Sequence, residues 1–181
     1  LHDETLNLLS EAALNINRQS HYLALVFDFL DQEESANWQG EFTPIQLSDP
    51  GTIMKNRWDS LEAYLEDGDK KDRQHYKRTL REAKKLGITI EKHSKVTDVN
   101  AALKLIHNVE RHYKNSPNPW MKNLLENLEM AQGTWLEARQ NGILVGCGAL
   151  FEDNQTQLTT ALGLADHIPY VYLMLTYASL E

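Results

Sequence analysis

The feature that most constrains this chain is the dipeptide Asn141-Gly142, set between two runs rich in β-forming residues, Thr134–Arg139 and Ile143–Phe151. Asn-Gly accepts positive φ at both central positions of a tight turn, so the two runs are predicted to pair as an antiparallel hairpin. A second polar turn, Glu152-Asp-Asn-Gln155, leads into a third strand, Gln157–Leu164, which makes the region a meander. The segment Pro169–Leu180 then reads as a helix that is apolar nearly all round (Val171, Leu173, Met174, Leu175, Tyr177, Ala178), a pattern that demands burial on two sides.

Helical periodicity dominates the rest. An amphipathic helix is predicted over 3–19 from Leu6, Leu9, Ala13 and Ile16. A buried strand over His21–Leu30, a short polar helix over Asp31–Gly40 and two weak strands, Phe42–Leu47 and Gly51–Arg57, follow. The last two are separated by the turn Ser48-Asp49-Pro50-Gly51. Ser60 is placed to cap a helix bearing Leu61, Tyr64 and Leu65. Residues 70–86 carry the stripe Tyr76, Leu80, Ala83 and Leu86, and Gly87 supplies the stop. A short strand, Ile88–Ile90, comes next. A helix capped by Thr97 then carries Val99, Ala102, Leu103, Ile106 and Val109, and a further helix covers Trp120–Ala131. From residue 88 the order is therefore strand, helix, helix, three-stranded meander, helix.

Charge is unevenly spread. Eight of the eighteen Lys and Arg residues lie between Lys70 and Lys85 against Asp72 and Glu82, so this stretch is +6 and the rest of the chain −14. Such an acidic remainder disfavours duplex nucleic acid, whose binding rests on phosphate neutralisation. A single cationic helix can still hold a phosphorylated ligand or a lipid headgroup. Arg78, Arg81 and Lys85 form one such set at helical spacing, and Lys77, Arg81 and Lys84 form another.

Several chemistries find no support. The single cysteine, Cys147, rules out a disulfide framework and a Cys-based zinc site, and points to a reducing, cytoplasmic compartment. No metal is expected, since His107 and His112 are five apart, off one helix face, and no H-E-x-x-H motif is present. No G-x-S-x-G elbow occurs. The longer apolar runs, such as Leu23–Phe27 and Ile143–Leu150, fall far short of the roughly 20 residues that span a bilayer.

The segments Trp58-Asp-Ser-Leu-Glu-Ala-Tyr64 and Arg73-Gln-His-Tyr-Lys-Arg-Thr-Leu-Arg-Glu-Ala-Lys-Lys-Leu-Gly-Ile88 resemble FemAB-like proteins of the GNAT superfamily. Leu136-Glu-Ala-Arg139 with Gly142-Ile-Leu-Val-Gly-Cys-Gly-Ala-Leu150 resembles that superfamily's central hairpin. The resemblance implies an α+β GNAT-like mixed sheet with flanking helices. It divides the chain into the end of a preceding GNAT-like half (1–57), a connecting basic helix region (58–87) and the first half of a GNAT-like domain (88–181). It also implies a further strand–helix–two-strand half. The chain thus reads as part of a longer protein, or as one that completes its sheet with a second copy, a homodimer.

The activity so implied is acyl or aminoacyl transfer to an amine, from acyl-CoA or aminoacyl-tRNA, onto a small-molecule or cell-wall-precursor acceptor. Such transfer needs alignment, a base and dipoles for the oxyanion. Asp166, His167 and Glu137 are the candidate catalytic residues. Gly163, Leu164, Tyr170, Tyr172, Arg78 and Arg81 are the candidate substrate-binding ones. Where many GNAT enzymes carry a Gly-rich pyrophosphate loop, Gly163–Tyr172 has a single glycine. The alternative is a non-catalytic GNAT-like module for binding or dimerisation.

Overall fold

The computed structural model describes residues 2–20, 54–152 and 156–181. The chain divides into two compact units, Leu1–Met54 and Lys55–Glu181. In the first, α1 spans His2–Ser20. The strand predicted over His21–Leu30, the helix over Asp31–Gly40 and the strand over Phe42–Leu47 lie outside the described residues. Of the strand predicted over Gly51–Arg57, the described part, 54–57, has no strand structure.

The second unit is α+β. Its elements are α2 (Leu61–Asp67), α3 (Lys70–Lys85), β1 (Ile88–His93), α4 (Val99–His112), α5 (Met121–Glu126), β2 (Thr134–Gln140), β3 (Ile143–Glu152), β4 (Gln157–Leu164) and α6 (Val171–Ser179). The strands form one antiparallel sheet in the order β1-β2-β3-β4. Asn141 and Gly142 both take positive φ at the β2–β3 turn, as that hairpin requires.

Two apolar clusters sandwich the sheet. On one face Trp135, Cys147, Ala149 and Ala161 meet Ala102, Leu105 and Ile106 of α4 and Met121 and Leu125 of α5. On the other, Ile88, Leu136, Ala138 and Val145 meet Ala83 of α3 and Val171, Leu175 and Ala178 of α6. Burial of α6 by strand and helix neighbours accounts for its unbroken apolar sequence.

Local chemistry sets the boundaries. Ser60 Oγ accepts from Ala63 N at 3.1 Å and caps α2. Asp69 accepts from Asp72 N at 2.9 Å and caps α3. Gly87, at φ 68, ends α3, and its carbonyl accepts from Asn141 N at 3.3 Å, tying the helix end to the hairpin. A Cβ there would stand 2.6 Å from Asn141 Oδ1. Asp98, not Thr97, caps α4, accepting from Ala101 N at 3.0 Å. The helix predicted over Trp120–Ala131 closes at Glu126, and turns follow. There the Asn127 side chain donates to the Asn123 carbonyl at 2.8 Å, competing with the helical ladder.

The sheet is interrupted twice. Opposite Cys147–Ala149 of β3, β4 runs from Gly163 to Thr160, so it carries an extra residue. Ala161 in that bulge has φ 54. A second irregularity lies at Ala138/Arg139.

Candidate functional site

The alternation of β2 places Trp135, Glu137 and Arg139 on the α4 side of the sheet. Register adds Glu91 of β1 directly opposite Glu137, and His93 opposite Trp135. Glu137 has no accessible surface, and its carboxylate is saturated with donors. Trp135 Nε1 donates at 3.0 Å, Arg139 Nη2 at 2.6 Å and Arg139 Nε at 2.9 Å. The Thr97 hydroxyl donates as well. Arg139 Nη1 also reaches the Gly142 carbonyl at 2.8 Å, which locks the hairpin turn to the network.

Burial pushes the Glu137 carboxyl upward, but hydrogen bonds from Thr97, Arg139 and Trp135, with the Arg139 charge, outweigh it and leave the pKa below the usual value. Glu137 is thus ionised at neutral pH with its lone pairs occupied. Such a carboxylate orients the side chains that donate to it.

His93 Nε2 stands 3.3 Å from Glu91 Oε2 and 3.9 Å from Glu137 Oε2. Glu91, His93 and Glu137 bring three potential ligand atoms within 4.8 Å of one another. The Arg139 guanidinium already lies against both carboxylates, at 2.6 Å from Glu137 and 3.7 Å from Glu91.

The exit of β4 is built differently. Gly163 shares a cross-strand row with Cys147 and Glu137. Two strand spacings, about 10 Å, therefore separate Gly163 from Glu137. The space over Gly163 is filled by the protein: a Cβ would lie 2.6 Å from Cys147 Sγ and 2.9 Å from both Ile106 N and Leu105 Cβ. This glycine lets α4 approach the sheet. Burial, aided by the Glu137 charge, pushes the Cys147 thiol up to about 12, so it is no nucleophile. Leu164 is half-buried, and its carbonyl accepts from Asn108 Nδ2 at 3.4 Å. Asp166 and His167 are exposed in the turn that follows.

His167 has φ 63 and Tyr170 φ 70, so with Ala161 three non-glycine residues take left-handed backbone within ten positions. Such conformations are costly and collect where a fold over-determines the chain, commonly at functional sites. Tyr170 packs on the α6-side core, whereas Tyr172 is exposed. Tyr170 stands at the N-cap position of α6 and supplies no side-chain cap. The first N–H groups of a helix have no partner within the helix itself, and at α6 the N-cap side chain supplies none.

Leu164, Asp166, His167, Tyr170 and Tyr172 all lie on the segment that runs from the end of β4 into α6. Arg78 and Arg81 stand apart, exposed on α3, the helix that packs on the opposite face of the sheet from Glu137. That face also holds a groove of about 140 Å³ bordered by Tyr76, Leu80, Ile90, Lys92, Met174 and Tyr177. Sequence reasoning missed Glu91, His93, Thr97 and Arg139. The alternation of Trp135, Glu137 and Arg139 was the available signal, but Glu91, His93 and Thr97 join only through strand register.

No protein-family model matches this sequence, and no curated protein matches it either.

Proposed function

We propose that the second unit is the opening section of a GNAT-type, FemAB-like acyl- or aminoacyltransferase domain, forming an amide by direct attack of an amine on a thioester or aminoacyl donor. The observation that carries this reading is the uncapped N-terminus of α6, reached from β4 through left-handed His167 and Tyr170. A helix N-terminus with free N–H groups favours a phosphate-bearing donor such as coenzyme A. The bulge at Ala161, itself buried, adds support by interrupting the β3–β4 ladder just before this exit. The element order from β1 to α6 is the one the resemblance implies. In this reading Asp166 or His167 takes the proton from the attacking amine as the C–N bond forms. The donor's C–S or ester C–O bond breaks to release the thiol or the tRNA hydroxyl, which leaves with a proton. Glu137, occupied by Thr97, Trp135 and Arg139, positions those side chains rather than acting as base.

Calorimetric titration of the protein with acyl-CoA and with aminoacyl-tRNA tests the reading. Saturable binding of one donor is expected, and heat from neither donor contradicts it. The non-catalytic dimerisation reading is favoured by one observation: β4 is an edge among the described residues and carries Leu158, 59% exposed. Light scattering that shows a dimer dispersed by Leu158→Lys, with no donor bound, would select it.

A further inference from the structure

Helix α3 carries a surface that the proposed reaction does not use. At 3.6 residues per turn, Lys70, Lys77 and Lys84 form one line, Gln74 and Arg81 a second, and Lys71, Arg78 and Lys85 a third. Together they cover an arc of about 140° along a helix about 24 Å long. All eight residues are exposed, seven are cationic, and no carboxylate interrupts them. Of the acids of α3, Glu82 stands at the margin of the arc, and Asp72 lies on the opposite side of the helix, with Thr79 and Ala83. Glu82 pairs with Arg81 and Lys85 at 3.0 Å each. Among the described residues no carboxylate is paired with Lys70, Lys71, Lys77, Arg78 or Lys84. The other side of α3, Thr79 and Ala83, is buried.

Like charges three and four residues apart destabilise a helix. Lys77–Arg81, Arg81–Lys84, Arg81–Lys85 and Arg78–Arg81 all stand so, on a protein with net charge −8. A stripe of this kind in an acidic protein fits a partner that supplies dense negative charge to one face only.

We propose that the α3 stripe docks the protein on an anionic phospholipid surface, with lysine and arginine side chains among the headgroup phosphates. Two features favour a bilayer over a nucleic acid. The stripe is convex and holds no aromatic residue on which a base could stack. Five of its seven cations are lysines, point charges suited to a diffuse layer of headgroups rather than to bidentate reading. Leu80, 37% exposed beside the stripe, adds apolar surface at the same margin.

Vesicle co-sedimentation of the full chain tests this. Binding to phosphatidylcholine mixed with phosphatidylglycerol is expected, falling as salt rises, with little binding to phosphatidylcholine alone. Each cation near an anionic surface is worth roughly a fivefold change in partitioning, so Lys77→Gln/Arg78→Gln/Lys84→Gln should lose roughly a hundredfold. Lys104→Gln, on exposed α4 surface, should lose little. These substitutions lie on an exposed helix face, and circular dichroism would verify that the triple variant remains folded. Equal binding to neutral vesicles, no loss in the triple variant, or retention of RNA or duplex DNA without vesicle binding would each overturn the proposal.

Discussion

The β1–β2 edge and the β4 exit lie in one sheet but handle polar groups in opposite ways. At the first, Thr97, Trp135 and Arg139 all donate to Glu137, and Arg139 ties the hairpin turn as well. At the second, Asp166 and His167 are exposed, the α6 N-terminus has no side-chain cap, and the backbone is left-handed at Ala161, His167 and Tyr170. A buried carboxylate with every lone pair engaged is part of the scaffold. The second end combines left-handed backbone with exposed polar side chains. The contrast teaches that burial and a shifted pKa do not by themselves mark a reactive group: Glu137 has both, and its carboxylate is already occupied by Thr97, Trp135 and Arg139.

The largest effect is expected at Glu137. Glu137→Ala leaves Arg139 and the Trp135 and Thr97 donors without their acceptor, which should cost about 3–5 kcal/mol in urea unfolding. A loss below about 1 kcal/mol would break the contrast at its scaffold end. Gly163→Ala comes next. The new methyl would meet Cys147 and the backbone of α4, and overpacking of this kind costs about 1–3 kcal/mol, read from the denaturation midpoint. Donor binding should fall no further than stability does if Gly163 serves helix–sheet packing.

Thr97→Ala sharpens the comparison. Thr97 is exposed and does not cap α4, so a surface reading predicts almost no effect. Loss of a hydrogen bond to a charged group instead predicts a cost of about 1.5 kcal/mol. The pH dependence bears on the same network. The folded-state pKa of Glu137 lies below its unfolded value, so its contribution is complete above the ordinary glutamate range and is lost as pH falls through the folded value. Melting temperature should therefore decline on acidification, less steeply in Glu137→Gln than in the parent. The smallest effect belongs to the β4 exit: His167→Gly removes a left-handed side chain from an exposed turn and should raise stability by roughly 0.5 kcal/mol. A loss of stability there would show that His167 makes contacts the contrast leaves out.

What was legible in the sequence was local. Asn141-Gly142, the Ser60 cap and the Gly87 stop act within a few residues, and the elements they bound match closely. β4 falls at Gln157–Leu164, as its pattern predicts. What was not legible depended on register. Ile88–Ile90 reads as a short strand, yet pairing of Glu91, Lys92 and His93 with Glu137, Leu136 and Trp135 extends it to His93. Thr97 and Asp98 are both good caps, and the choice between them follows from Glu137, forty positions on, which takes the threonine hydroxyl. The predicted start of the last helix at Pro169 shifts to Val171 because Tyr170 turns left-handed, which no apolar pattern encodes.

Amide chemical-shift mapping during titration with acyl-CoA and, separately, with aminoacyl-tRNA addresses the central claim most directly, read for whichever donor binds. The account predicts that the perturbed amides are those of Val171, Tyr172 and Leu173 at the start of α6, with Ala161 and Leu162 in the β4 bulge. Perturbation centred instead on the Glu91–His93–Glu137 cluster or on the groove beside Tyr76, or no perturbation at all, would contradict it.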